Sequence, residues 1–460
     1  MKKINVAKYG ILPNTGELLT EKIQALIDRF RWRGVELYFP AGAYVLSTIF
    51  LRNNTTINIS RNALILGSNN FDDYAKLEEV DYKLYQDVSH SFFNCALFVG
   101  KNINNVSIIG KGMIDMRSVW DENNVNNMVH RGAKVIALKE CTNIKIKDLR
   151  IINATDLAVY LASCQHAEID GLKLKVYIDG ISPDNSKDIK ISNCDIISGD
   201  DGICFKSSYN LNRLDTCERI TVEDCVVASR CNAIKFGTES NGGFKDISIK
   251  NIKVRNTRIT GISIESVDGA IINNISIDNV EMENVNAPLF IHLGARLRGP
   301  EGTKVGKISN IFISNLTAKG PYKPYKTVPW NYDSFKKNDT IQYPWNNGLP
   351  ITLQELNEKK KLPWQYTCNV CGYKENMLEE IYLKNVHLEL EGGIEEFDRN
   401  VREDAGGYPE VFVYGKILPA KGIYFRHING LHLANVKIVT YKEDKRDDFF
   451  FDDVMNRRFE

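Results

Sequence analysis

Residues 198–207, SGDDGICFKS, place two adjacent carboxylates, Asp200 and Asp201, between two glycines. A third acidic residue, Asp179, stands 21 residues before Asp200 in YIDGISPDNS (177–186). Carboxyl groups that lie close together cannot all ionise freely, so the pKa of at least one should rise. A protonated carboxyl beside an ionised one is what glycoside hydrolysis needs, because one group protonates the leaving oxygen and the other activates water.

An Asp-Gly pair is also common in turns, and a turn would explain either motif by itself. On neighbouring coils of a repeat structure, the 21-residue spacing would put Asp179 beside Asp200 on one face. Asp201 would point elsewhere in a regular strand, but Gly199 and Gly202 permit a bend that brings both carboxylates to one side. The predicted catalytic cluster is therefore Asp179, Asp200 and Asp201.

A short recurring phrase supplies the elements that would position this cluster. Its copies include NIKIKDL, HAEIDGL, DIKISNC, RITVEDC, DISIKNI, NISIDNV and NIFISNL, which begin 22 to 36 residues apart between residues 143 and 316. Each copy alternates apolar and polar residues around a turn-forming Asn, Asp or Gly. The pattern predicts a short strand, a bend and another short strand.

Self-similarity at this period indicates a stacked repeat architecture. Helical repeats would show apolar spacings of three and four, leucine-rich repeats would need more leucine, and a β-sandwich would need hairpin turns every 8–12 residues or so. We therefore expect an all-β, single-stranded parallel β-helix, in which each phrase is one coil and equivalent residues stack about 4.8 Å apart.

The same architecture predicts the domain organisation. A lone coil cannot bury its apolar face, so we expect residues 1–460 to form one domain. The amphipathic segment 16–30 is predicted to be a helix that caps the N-terminal end. Residues 68–100 and 320–366 lack the phrase and are predicted to be loop insertions on one face.

Composition limits the partners and the compartment. The 59 basic and 58 acidic residues nearly cancel, which argues against nucleic acid or an anionic membrane as partner. No long apolar run and no leader-like apolar stretch is present, so we expect a cytoplasmic protein, or a periplasmic or secreted one if a leader has been removed. The ten cysteines are expected to be mostly free thiols, with Cys368 and Cys371 in a turn rather than a metal or redox site. No metal or cofactor is expected.

The chain resembles glycoside hydrolase family 28, the polygalacturonases and their relatives, over almost its whole length. INVAKYGI and GVELYFPAGAYVLSTIFLRNNTTINI resemble the family's N-terminal segment, and SGDDGICFKS matches its Gly-Asp-Asp motif in full. YIDGISPDNS matches its Asn-Thr-Asp-Gly motif at Asp179, Gly180 and Ile181, with Tyr177 and Ile178 in place of Asn and Thr. The resemblance implies a right-handed parallel β-helix.

The resemblance also implies roles for the three aspartates. Asp200 would be the general acid, and Asp179 and Asp201 would handle the water. Members of the family invert the anomeric configuration, which agrees with an acid and a base that work without a covalent sugar–enzyme intermediate.

Two other family motifs are altered in this chain. Asn232 in CNAIKFGTES stands where the family's Gly-His-Gly motif has its histidine, and Asn cannot transfer a proton. Ser263 and Glu265 in TGISIES replace the arginine and lysine of its Arg-Ile-Lys motif. Because those cations ordinarily bind a uronate carboxylate, we expect the sugar bound there to be neutral, or its carboxylate to be held by other residues.

Other charged residues could compensate for these changes. Lys206 and Lys235 follow the key motifs and could face the cleft, whereas Arg296 and Arg426 are interpreted as solvated charges at the repeat edge. Exo-acting bacterial relatives carry a Gly-Ser-Glu stretch near the position of Glu239. The predicted substrate-binding set is Asn232, Lys206, Lys235, Glu239, Ser263 and Glu265.

Taken together, these features predict an inverting glycoside hydrolase that acts on the ends of pectin-derived or related oligosaccharides. Action on ends is suggested by Trp330, Trp345 and Trp364 in the second insertion, since such rings suit stacking on sugars or walling a pocket. Two alternatives stay open: a polysaccharide lyase on the same fold, with the aspartates ligating Ca²⁺, and a glycan-binding β-helix without catalysis. The expected partner is an oligosaccharide, and the sequence does not determine the oligomeric state.

Overall fold

The computed structural model describes residues 1–120, 132–323, 365–404 and 406–460. Two compact units divide the chain, Met1–Val227 and Ala228–Glu460. Both are built from parallel strands that pair from one coil to the next, and the predicted right-handed parallel β-helix is confirmed. That residues 1–460 form a single domain stays a prediction.

In the first unit a coil contributes three short strands, each paired in parallel with its equivalent on the neighbouring coil. The strands are β1 (Lys2–Asn5), β2 (Val35–Phe39), β3 (Gly42–Leu46), β4 (Ile49–Phe50), β5 (Thr55–Ile59), β6 (Ala63–Gly67), β7 (Ala96–Lys101), β8 (Asn104–Ile109), β9 (Met113–Asp115), β10 (Lys134–Lys139), β11 (Thr142–Lys147), β12 (Arg150–Ile152), β13 (Val159–Ala162), β14 (Gln165–Asp170), β15 (Lys173–Val176), β16 (Ile181–Asp184), β17 (Lys187–Ser192), β18 (Asp195–Ser198), β19 (Ile203–Ser207) and β20 (Thr216–Glu223), followed by β21 (Val226–Ser229) at the unit boundary.

In the second unit longer strands run through the bends of the coils. They are β22 (Asn232–Ser240), β23 (Gly243–Ser266), β24 (Ile271–Leu293), β25 (Lys307–Lys319), β26 (Cys368–Cys371), β27 (Leu378–Gly392), β28 (Ala420–Lys442) and β29 (Asp447–Phe459).

The recurring phrase forms the predicted strand, bend and strand. NIKIKDL begins in β11 and ends just before β12, and in β11 Ile144 and Ile146 are buried whereas Lys145 between them is exposed. In β11, alternation therefore directs one side of the strand to the core and the other to solvent, whereas strands such as β13 and β16 are buried on both sides. The core is a column of aliphatic and aromatic side chains inside the coils.

The predicted N-terminal helix is confirmed as α1 (Thr20–Arg29), which buries Ile23, Leu26 and Ile27. Its Gln24 side chain exchanges two hydrogen bonds with the Phe50 backbone, at 2.8 and 3.0 Å. These bonds satisfy edge groups of β4. The helix begins at Thr20, four residues after the predicted start at residue 16.

The two predicted insertions differ in what the structure describes. Within residues 68–100 lie a short 3-10 helix, Phe71–Asp73, and α2 (Val88–Ser91) before β7 begins. A further 3-10 helix, Val6–Tyr9, follows β1. Most of the predicted insertion 320–366 lies outside the described residues. The three tryptophans that were predicted to stack on sugars or wall a pocket, Trp330, Trp345 and Trp364, are among the residues not described. None of the helices in the described ranges is long and apolar enough to cross a membrane.

None of the ten cysteines forms a disulfide, and the prediction that most are thiols is confirmed. The prediction that the Cys368–Cys371 pair forms a turn is wrong, because these residues are the two ends of β26 and are both fully buried. Parallel pairing with β24 on one side and β28 on the other keeps this stretch extended.

Asparagines at the bends form ladders from coil to coil. Asn251 and Asn279 have left-handed φ values of 56° and 54°. The Asn279 Nδ2 donates to Asn251 Oδ1 at 2.8 Å, and Asn435 repeats the contact with Asn385 at 3.0 Å. Asparagine tolerates this backbone conformation better than other residues with a Cβ, and its amide adds a bond along the stack.

We expect Asn279→Ala to destabilise the second unit by about 1–2 kcal/mol, because alanine carries the strain of the left-handed conformation and loses the ladder bond. Asn279→Gly should cost less, because glycine adopts this φ without strain. Urea unfolding of the two variants beside wild type measures the difference. Equal destabilisation by Ala and Gly would show that backbone strain is not the cause.

Candidate active site

The carboxyl cluster forms where two neighbouring coils of the first unit stack. Ile181 in β16 pairs with Ile203 in β19, and the Gly180 amide donates to the Asp201 carbonyl at 3.0 Å. The coil step is therefore 22 residues here (203 − 181), so Asp179 aligns with Asp201. The expectation that the register aligns Asp179 with Asp200 is wrong by one residue, since it assumed a coil of 21.

The Asp179 carboxylate is buried and surrounded by donors. Its Oδ1 accepts from the Asp201 amide at 3.2 Å, and its Oδ2 accepts from the Ser182 hydroxyl at 3.3 Å. The Lys206 ammonium lies 3.6 Å from Oδ2 and is buried as well. Donors and an opposite charge favour the ionised form of a carboxyl group. Asp179 is therefore suited to act as a base.

Asp201 completes a tight group with Asp179. Carboxylate oxygens of these two residues and the Cys204 Sγ lie within 4.8 Å of one another, and all three residues are buried. The thiol donates to Asp201 Oδ2 at 3.5 Å. Asp200 is the partly exposed member of the three aspartates. It is therefore the carboxyl that a bound sugar can reach most easily.

Gly199 has a different role from the one expected. Its φ is not in the left-handed region, but a Cβ there would lie 2.1 Å from the Tyr177 carbonyl oxygen. The coil carrying the aspartates therefore passes too close to its neighbour for any side chain at this position. Ser198 fixes the same bend by donating its hydroxyl to the Asp200 carbonyl at 2.8 Å.

Asp184, at the end of β16, was not predicted. It pairs in register with Lys206 and accepts hydrogen bonds from the Tyr160 hydroxyl, the Asn210 amide and the Ser208 N–H, at 2.8–2.9 Å. Burial raises the pKa of Asp184 to about 6, although the hydrogen bonds oppose the shift. The one feature of the sequence that could have indicated Asp184 is the polar run SPDNS. In the structure the β16 residues of this run are all buried.

In the second unit, four predicted substrate-binding residues form one buried network. The Lys235 ammonium lies 3.5 Å from Glu265 Oε1, and Ser263 donates its hydroxyl to the same oxygen. Lys235 and Ser263 are register partners on neighbouring coils. Asn232 joins the network through its side-chain amide, which donates a hydrogen bond of 3.4 Å to Glu410 Oε1.

Glu410 belongs to this network although no motif or spacing in the sequence selects it. Its Oε1 accepts from the Lys235 ammonium at 2.9 Å, and the residue is buried. Glu410 lies in YPEVFVYG, a segment without the repeat phrase. No spacing in the sequence links this segment to residue 235.

The charges around the other predicted residues are paired. Glu239 forms an ion pair with Arg298. Arg296 Nε donates to Asp268 at 2.9 Å, and Arg426 contacts Glu403 and Asp452 at 2.8 and 3.1 Å. The interpretation of Arg296 and Arg426 as solvated edge charges is wrong, because each is largely removed from solvent and neutralised by carboxylates.

Asp179, Asp201 and Cys204 form a set whose side chains could hold a metal. Calcium requires about six to eight oxygen ligands. Two carboxylates and a thiol, which suits softer metals, do not match that requirement. The donor set therefore does not favour the Ca²⁺-dependent alternative.

Comparison of the chain with known proteins identifies the family to which it is similar. The model of glycosyl hydrolases family 28 matches residues 36–325. A probable polygalacturonase from Vitis vinifera is 25% identical over 227 residues, 46% of each chain. An exo-poly-alpha-D-galacturonosidase from Dickeya chrysanthemi is 33% identical over 124 residues, 25% of this chain and 19% of that protein. The chain thus spans about half or less of the curated relatives it matches.

Solved structures show the same fold at low sequence identity. A family 28 exopolygalacturonase from Yersinia enterocolitica superposes with a TM-score of 0.71 at 17% identity, over 99% of this chain and 78% of that one. An exopolygalacturonase from Thermotoga maritima gives a TM-score of 0.66 at 16% identity, over 84% and 87%. The family match covers more than half of the sequence, and the chain therefore belongs to glycosyl hydrolases family 28.

Proposed function

We propose that the protein is an inverting glycosidase that removes sugars from the ends of pectin-derived or related oligosaccharides. The observation that carries this proposal is the aspartate group of the first unit. The buried carboxylates of Asp179 and Asp201 lie within 4.8 Å of each other, and the partly exposed Asp200 precedes Asp201 in sequence. Membership of family 28 and the polygalacturonases among its relatives support the same reaction class.

The proposed mechanism divides the aspartates between two tasks. Asp200, the accessible carboxyl, donates its proton to the glycosidic oxygen as the bond to the anomeric carbon breaks. Asp179, which accepts two hydrogen bonds and lies 3.6 Å from the Lys206 ammonium, and Asp201 orient a water and take its proton as the water attacks the anomeric carbon from the opposite face. One sugar leaves with inverted configuration, and no covalent intermediate forms.

Action on chain ends is supported by the names of the relatives. The Dickeya chrysanthemi relative is named as an exo-acting galacturonosidase, and its 33% identity is the higher of the two curated matches described above. Residues 68–100 contact the coils of the first unit, since the Tyr82 hydroxyl donates to the Asn210 carbonyl at 2.6 Å and the Tyr160 hydroxyl donates to the His90 carbonyl at 2.8 Å. An insertion held there would suit a site that is closed at one end.

Asp200→Asn should lower kcat by about 10²–10⁴-fold, because the amide cannot protonate the leaving oxygen. The matched control is Asp195→Asn, an exposed carboxylate on the same coil that should leave the rate unchanged. Rates are measured on a panel of pectic oligosaccharides, and thermal unfolding checks that both variants fold. If Asp200→Asn keeps more than about a tenth of the rate, Asp200 is not the general acid.

The first product formed should have the anomeric configuration opposite to that of the cleaved bond. Proton NMR within minutes of mixing, before mutarotation, distinguishes the two anomers. Retention would contradict the proposed pair of acid and base. An unsaturated product, detected by its ultraviolet absorbance, would instead identify the lyase alternative.

Single sugars should appear from the start of the reaction, and the viscosity of a pectic polymer should fall little for each bond cleaved. Chromatography of early time points and viscometry on the same sample measure both quantities. A ladder of intermediate oligomers with a rapid loss of viscosity would show that the cleft is open at both ends. Sugar binding without any turnover would favour the non-catalytic alternative.

A further inference from the structure

Asp184 lies in the first unit close to the aspartate group, although no step of the proposed mechanism uses it. Its buried carboxylate accepts hydrogen bonds from the Tyr160 hydroxyl, the Asn210 side-chain amide and the Ser208 backbone N–H, at 2.8, 2.9 and 2.9 Å. Tyr160 belongs to β13 on the preceding coil, whereas Ser208 and Asn210 follow β19 on the next coil. Donors from both neighbouring coils therefore fix this carboxylate.

The insertion 68–100 holds two of these donors in turn. The Tyr160 hydroxyl also lies 2.8 Å from the His90 carbonyl oxygen, and the Phe93 ring stacks on the Tyr160 ring with 5.4 Å between centroids. On the other side, the Tyr82 hydroxyl donates to the Asn210 carbonyl at 2.6 Å. The groups that surround Asp184 are therefore anchored both by the coils and by the insertion.

Lys206 connects Asp184 with the aspartate group. It is the register partner of Asp184 on the neighbouring coil, so the two side chains leave the same side of the sheet, with about 4.8 Å between their strands. Its buried ammonium lies 3.6 Å from Asp179 Oδ2. Burial raises the pKa of Asp184, and the charge of Lys206 acts in the opposite direction. Asp184 and Lys206 therefore interact electrostatically.

A lysine ammonium stands at the end of a flexible four-carbon stem and needs a restraint to stay in one place. A rigid carboxylate beside the stem supplies that restraint, because in a buried site the attraction between opposite charges leaves the ammonium few favourable positions. Asp184 has the required rigidity, since its three donors come from two coils.

We propose that Asp184 is a positioning residue of the active site, which holds the Lys206 ammonium beside Asp179. This inference rests on the proposed function for the task of Asp179, and it adds the residue that acts on Asp179 through Lys206. Asp184 touches no substrate and transfers no proton. Its effect passes through the lysine and requires no path from solvent to the Asp184 carboxylate.

The kinetic test is a double-mutant cycle on kcat. Asp184→Asn keeps the shape of the side chain and removes its charge, so it should lower kcat about tenfold and change KM little. Lys206→Met should lower kcat by a similar factor. Asp184→Asn added to Lys206→Met should have little further effect, because the residue through which Asp184 acts is then already absent.

The matched control is Asp170→Asn on the preceding coil. The Asp170 carboxylate also accepts side-chain hydrogen bonds, from Ser192 and Asn193 at 2.8 Å, but these lie at a different strand from Lys206. The control should lower the free energy of unfolding and leave kcat unchanged. An unchanged or higher kcat in Asp184→Asn, a rise of KM alone, or a full further loss in the Lys206→Met background would overturn the inference.

Urea unfolding gives a second readout that needs no turnover. The coupling between Lys206 and Asp179 is obtained from Lys206→Met, Asp179→Asn and the double variant, first with Asp184 in place and then with Asp184→Asn. Loss of the restraint should reduce this coupling by about half or more. An unchanged coupling would contradict the inference. Tyr160→Phe, which removes one donor and keeps the ring, replaces Asp184→Asn in both measurements if that variant fails to fold, and smaller effects of the same sign are then expected.

Failure of the proposed function gives a different result. A wild-type protein that cleaves no oligosaccharide contradicts the hydrolase proposal, and a coupling that falls with Asp184→Asn would still show that Asp184 holds Lys206 beside Asp179. Cleavage by wild type together with an unchanged coupling has the opposite meaning.

Discussion

The parallel hydrogen bonding between coils is the constraint on which the rest of this structure depends. It fixes equivalent residues one strand spacing apart, so every side chain on a coil has a neighbour directly along the stack. Apolar neighbours make the core, and asparagines make the ladders at the bends. The same rule brings Asp179 to Asp201 and Lys235 to Ser263. The chemistry of the molecule is therefore arranged in columns.

Columns of polar residues are costly unless their charges are compensated. A buried charge requires an opposite charge and hydrogen bonds. Lys206 meets this requirement for Asp179, and Lys134 does so for Asp156 at 3.4 Å within the same unit. In the second unit the counter-ion of Lys235 comes from outside the coils. It is Glu410, which lies in the segment YPEVFVYG and accepts from the Lys235 ammonium at 2.9 Å. Each lysine in these columns therefore has a counter-ion.

The division of work between coils and connecting segments follows from this. Coils supply rigid positions for carboxylates, because a register shift would disturb the pairing of whole strands. Segments such as 406–418 are not bound by the register and can place one side chain against a column, as Glu410 is placed against Lys235. Residues that set the reaction class are expected on coils, and residues that adjust the ligand are expected on such segments.

The sequence by itself determined the β-helix, the capping helix and the proximity of Asp179 to the Asp200–Asp201 pair, because alternation and repeat spacing are local properties that the chain displays directly. The catalytic role of the three aspartates stays a prediction. It misplaced the neighbour of Asp179 by one residue, since the length of a coil depends on how its bends close. It also missed Asp184 and Glu410, and it read Arg426 as solvated. Only the tertiary structure decided these. Asp184 and Arg426 have register partners one coil away, Lys206 and Asp452, but their burial also depends on segments outside the repeats. No repeat separation links Glu410 to Lys235, since the two lie 175 residues apart along the chain and 2.9 Å apart in space.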